Sequence, residues 1–71
     1  MLIGDKLERL IEEMVEKGVR FEDAVREFEK RFIVRVLGQC EGSLIKTADM
    51  LGMHRNTLTR KMGEYKIRNP K

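Results

Sequence analysis

Eight consecutive residues, His54-Arg55-Asn56-Thr57-Leu58-Thr59-Arg60-Lys61, hold the side chains of this 71-residue chain whose types and spacing best suit recognition chemistry. On a helix turning about 100° per residue, Leu58, Met62 and Tyr65 share one face, and Asn56, Thr59, Arg60 and Gly63 share the opposite one. Arg55 and Lys61 flank the apolar stripe. A face of Asn, Thr and Arg matches the edges of paired bases in a major groove. Asparagine pairs bidentately with adenine, arginine with guanine, and threonine meets the thymine methyl. A helix turned only to water more typically carries Glu–Lys pairs, and here Glu64 is the one acid after Asp49.

Other chemistry is poorly provided for. His54 is the only histidine, and a catalytic base needs a nucleophile and an orienting partner that the sequence does not supply. It reads as a helix cap or a phosphate contact. Cys40 is the only cysteine, so no disulfide can form within one chain, and a zinc site wants several thiolates or imidazoles. No enzyme activity, metal, cofactor or small-molecule substrate is expected. The five methionines, Met1, Met14, Met50, Met53 and Met62, read as an initiator plus gap-filling core.

The elements that must position the recognition segment are helices, because no strand-like alternation occurs. Ile3, Leu7, Leu10, Ile11, Met14 and Val15 recur at three- and four-residue steps and predict an amphipathic helix from about Asp5 to Lys17, stopped at Gly18. Phe21, Ala24, Val25, Phe28, Phe32, Ile33, Val36, Leu37 and Cys40 predict a longer one over Phe21 to Cys40. Ser43 caps a third helix that ends at Leu51, before Gly52. The fourth starts near His54 or Arg55 and runs to about Tyr65, and Pro70 forbids further regular helix. Ala48, Gly52, Met53 and Leu58 stand at the spacing of a helix-turn-helix: a small contact residue, a turn, a plug and a core leucine.

Charge divides the chain as the elements do. Residues 1–30 hold six Lys/Arg against nine Asp/Glu, and residues 31–71 hold nine against three. The basic half suits an anionic partner. A chain this short rarely builds a self-sufficient core, and with disulfide and metal excluded, self-association is the expected staple. The wide apolar stripe of the second helix points the same way. No signal peptide or membrane span is seen, so a cytoplasmic protein is expected.

The segment FEKRFIVRVLGQCEGSLIKTADMLGMHRNTLTRKMGEYKI, and within it A-x-x-L-G-x-x-R-N-T-L-x-R-K, resembles the factor for inversion stimulation (Fis) family. This helix-turn-helix also ends the nitrogen-regulator type of enhancer-binding activators. The resemblance is strong from about Phe28 to Ile67 and weaker from Asp5 to Glu27. It implies a homodimer whose first two helices intertwine and whose last two bind and bend DNA. By this resemblance Arg55 is the main base-reading arginine, with His54, Thr57 and Thr59 around it. Arg60 and Lys61 serve backbone or groove contacts, and Lys46 is a basic position before the turn. Ser43, Ile45, Thr47, Gly63 and Lys66 depart from the usual pattern, Lys66 standing where a helix-ending glycine is frequent. Almost nothing precedes the first helix and no ATPase motif is present, so recombinase stimulation and ATP-driven promoter activation are not expected.

The expected protein is thus all-α, a single stand-alone domain over 1–71. Residues 1–41 are dimerisation helices, 42–67 a helix-turn-helix and 68–71 a tail. Leu7, Leu10, Ile11, Met14, Val25, Phe28, Phe32 and Val36 form the dimer interface. Ser43, Lys46, His54, Arg55, Asn56, Thr57, Thr59, Arg60, Lys61 and Lys66 contact double-stranded DNA. The expected function is sequence-selective DNA binding with bending, as a nucleoid-associated or transcription-regulatory factor. The alternative is a dimeric adaptor whose basic half binds an acidic protein.

Overall fold

Four helices account for the regular structure of residues 3–69, which the computed structural model describes. They are α1 (Ile3–Glu16), α2 (Phe21–Gln39), α3 (Leu44–Leu51) and α4 (Arg55–Glu64), and no strand occurs among the described residues. The all-α expectation holds, with helix ends within two residues of those predicted. The expectations for Met1 and Pro70 lie outside the described residues. None of these helices is long and apolar enough to cross a membrane.

The buried core lies wholly in the C-terminal part. Ile33 and Leu37 of α2 pack with Ala48 of α3 and with Leu58 and Met62 of α4, and Leu44, Leu51, Met53, Tyr65 and Ile67 close the edges. Ala48 has the small side chain that lets α3 and α4 approach. Thr47 is also fully buried, and its hydroxyl finds no hydrogen-bond partner.

All four helices end with one device. In each, the residue just past the last turn takes a left-handed conformation, and two backbone N–H groups reach back to the last carbonyls in a Schellman pattern. After α3, Gly52 (φ 70°) donates to Asp49 O and Met53 to Ala48 O. Gly18 (φ 75°) closes α1 alike. The same position is held by Glu41 (φ 52°) after α2 and Lys66 (φ 56°) after α4, side chains that pay a steric penalty there. Lys66 N–H donates to Gly63 O at 3.3 Å and Ile67 N–H to Met62 O at 2.8 Å, so α4 stays closed past Gly63 in its last turn. Asn69 Nδ2 then donates to Gly42 O at 3.0 Å and ties the end of the described chain to the α2–α3 turn.

The N-terminal part is built differently. Among the described residues α1 buries none. Ile3, Leu7, Leu10, Ile11, Val15, Phe21, Phe28 and Phe32 all stand exposed, with the Phe28 and Phe32 rings 5.5 Å apart. One chain presents 6115 Å² of accessible surface, whereas a compact monomer of this mass presents about 4,600 Å². Its radius of gyration, 13.8 Å, likewise exceeds the ~11 Å expected of a compact chain. Val36, expected at the dimer interface, is 7% exposed within a single chain, against 53% for Phe28 and 50% for Phe32.

Candidate nucleic-acid interface

The fold brings α4 forward on a short turn and holds it from behind. Leu58 and Met62 are buried and Tyr65 is half-buried, so the stripe read from the sequence faces the core. His54, Arg55, Asn56, Thr59, Arg60 and Gly63 are exposed, and Thr57 is half-buried. The first turn is preorganised by His54, whose Nδ1 accepts the Asn56 backbone N–H at 3.0 Å. That bond places the proton of the neutral imidazole on Nε2, which remains a donor. Thr59 Oγ1 donates to Arg55 O at 3.1 Å, so its hydroxyl proton is engaged within α4 while its methyl and lone pairs remain. Among the described residues, the guanidinium groups of Arg55 and Arg60 and the side-chain amide of Asn56 have no partner within the chain.

Around this turn, Ser43 caps α3 by accepting the Lys46 N–H at 3.3 Å, and Lys46 is exposed. Lys66 is exposed beyond the far end of α4. Ile45, Lys46, Met53 and Arg55 border one shallow surface between α3 and the start of α4. An α-helix end with unsatisfied N–H groups and cations nearby is suited to phosphate as well as to base edges.

Lys61 differs from the other basic residues. Its Nζ lies 2.7 Å from Glu29 Oε1, and the Tyr65 hydroxyl donates to the same oxygen at 2.8 Å. These two donors hold the Glu29 carboxyl below its ordinary value, and the carboxylate in turn raises both the Lys61 ammonium and the Tyr65 phenol. Lys61 was expected as a DNA contact, but the structure uses its charge to tie α4 to α2.

A model of bacterial regulatory proteins of the Fis family matches residues 24–65. The chain belongs to the Fis family. Two curated relatives from Xylella fastidiosa, both named as Fis-like DNA-binding proteins, are similar to it. The protein of strain Temecula1 is 46% identical over 41 residues and that of strain 9a5c is 44% identical over 41 residues. Each alignment covers 58% of this chain and 46% of the relative, so the chain spans about half the length of the curated relatives it matches. No solved structure matches at a significant score. The Fis family is one of regulators, which agrees with the expectation of a non-enzymatic chain.

The family match begins at Ala24, inside α2, and ends at Tyr65, so it encloses the core, the turn and α4. What sequence reasoning missed in this Fis-family chain is Glu29. It appeared as one acid among nine in an acidic half, and nothing local marks it as the partner of a lysine 32 residues later.

Proposed function

We propose that this Fis-family chain binds double-stranded DNA sequence-selectively as a homodimer, bending the duplex, in a nucleoid-associated or transcription-regulatory role in the cytoplasm. The observation that carries the reading is the outward face of α4, where Arg55, Asn56 and Arg60 stand unpartnered on a helix whose first turn is capped. Arg55 and Asn56 enter the major groove first, since recognition helices lead with their N-terminal residues. Thr59 and Arg60 follow one turn later along α4. Lys46, Lys66 and the Nε2 of His54 serve phosphates, with Ser43 and Thr57 at the margin.

Self-association is the second half of the reading. The excess accessible surface of about 1,500 Å² over a compact monomer is more than the ~800 Å² per partner of a standard stable interface. A second copy fits because the exposed apolar side chains of α1 and α2, Leu7, Leu10, Ile11, Val25 and Phe28 among them, line one continuous groove, and a two-fold axis sets such a face against itself. The symmetric pair then presents two α4 helices to one duplex, and DNA bends to engage both.

Selection of duplexes from a random pool tests this reading. The expected product is a two-fold-related pair of half-sites. Arg55→Ala is expected to lose about 1–3 kcal/mol of discrimination at one base pair per half-site. Lys46→Ala weakens all sequences alike. Affinity and site preference unaffected by Arg55→Ala would sink the assignment, and absence of duplex binding at ~50 mM salt would leave the acidic-protein adaptor in its place.

A further inference from the structure

The far end of α4 carries a contact that the outward face does not use. Lys61 Nζ and Tyr65 OH converge on a single oxygen, Glu29 Oε1. Glu29 lies one helical turn before Ile33 on α2, and it also borders the groove between α1 and α2 lined by Met14, Val25 and Phe28. One carboxylate therefore touches both the surface assigned to self-association and the helix assigned to DNA.

The buried part of the α2–α4 seam is apolar, with Ile33 and Leu37 against Leu58 and Met62, and Arg26 and Lys30 of α2 border a shallow groove with Glu64 and Lys66 at its edge. Apolar attraction has no direction and sets the rotation of a short helix weakly. Charge-assisted hydrogen bonds are directional and short. Arg55 and Tyr65 are ten positions apart, about 15 Å along the axis at ~1.5 Å per residue. A tilt of roughly 10° about the Tyr65 end moves Arg55 by about 2.6 Å, well outside the ~0.5 Å tolerance of a preorganised contact. The Lys61 side chain is 26% exposed and its ammonium is already bound.

We propose that Glu29 is the positioning residue of the recognition helix, fixing the angle of α4 on α2 through Lys61 and Tyr65, and that Lys61 is thereby withheld from phosphate. This rests on the DNA-binding reading. It assigns to one acid of the N-terminal half a role in how the two α4 helices of a dimer are spaced.

The test uses the full chain with Glu29→Gln and Lys61→Gln against duplexes selected by the wild type. Tyr65 is the only tyrosine and there is no tryptophan, so the absorbance titration follows this one phenol, whose largest perturbation is the Glu29 hydrogen bond. Glu29→Gln is expected to keep its helicity, to lower the pH at which Tyr65 ionises, and to lose about tenfold or more in preference for selected over scrambled duplex, the worth of a misaligned bidentate arginine. Lys61→Gln is expected to lose the same preference while keeping the wild-type slope of log affinity against log salt. A phosphate-bound lysine removed from both subunits would instead lower that slope by about 1.8. Unchanged preference in Glu29→Gln, or a slope reduced by that amount in Lys61→Gln, overturns the assignment alone. A wild type that binds no duplex overturns the DNA-binding reading and this assignment with it. Should Glu29→Gln fail to fold, Tyr65→Phe removes one of the two bonds and no charge, and unchanged preference there also overturns it.

Discussion

Tyr65 OH donates to Glu29 Oε1 at 2.8 Å, joining two residues 36 positions apart across the seam of α2 and α4. Lys61 bonds the same oxygen, and the shared contact shifts all three groups, which gives the fold a defined pH window. The Glu29 carboxyl is depressed by the Lys61 and Tyr65 hydrogen bonds, so its contribution is present above its ordinary value of 4.5 and is lost as pH falls through the lower folded value. Tyr65 and Lys61 are raised, so their contribution is complete below 10.0 and 10.5 and is lost as pH rises through the higher folded values. Urea midpoints of wild type and Glu29→Gln should differ by a steady amount between these limits and converge in acid.

Left-handed Lys66 and Glu41 make a second prediction. A side chain at that conformation costs about 1–2 kcal/mol that glycine avoids. Lys66→Gly and Glu41→Gly should each stabilise the fold by about 1 kcal/mol once the added chain entropy of glycine is subtracted, read as a higher thermal midpoint. Gly52→Ala should do the reverse. A Cβ there meets no atom within 4 Å, so only backbone conformation opposes it.

The buried Thr47 hydroxyl makes a third. Thr47→Val keeps the shape and removes a polar atom that has no partner, and a gain of about 1–2 kcal/mol is expected by chemical denaturation. Thr47→Ser keeps the hydroxyl and deletes a methyl group, so it should destabilise by about 1 kcal/mol.

The exposed face of α1 and α2 makes a fourth. Thermal midpoints should climb by roughly 4 °C for each tenfold rise in protein concentration, as folding is linked to association. Phe28→Asp places a carboxylate on that face, at a position 53% exposed in one chain. Sedimentation should then find monomer at micromolar concentration while the helices around Leu37 and Leu58 persist. A wild type that sediments as a stable folded monomer would remove the dimer from the proposal.

Local chemistry explains which features were legible in the sequence. Ser43, Gly52, Leu58 and the face of α4 could be read because each acts on neighbours a few residues away. A cap reaches its own helix, a turn needs a left-handed residue, and a stripe repeats every three to four positions. His54 was legible as a cap for the same reason. Lys61 was not, because its environment is set by Glu29 on another helix, and a wheel shows only that it flanks the stripe. Val36 repeats in register with Phe28 and Phe32, yet periodicity cannot say whether its own chain or a second copy covers it. Glu41 was not legible either, since its left-handed conformation runs against the preference of its residue type.

The shared ending of the four helices bears on how fast the molecule forms. Each reversal of the chain is decided by two hydrogen bonds reaching back three and five residues, as with Ile67 to Met62. Closing loops that small takes well under a microsecond, and chains dominated by local contacts fold in microseconds to milliseconds. The helix-turn-helix should therefore be assembled long before two chains at cellular concentration collide. For the proposed dimer the slow step of maturation is then an encounter, and its rate is set by how much of the chain the cell has made.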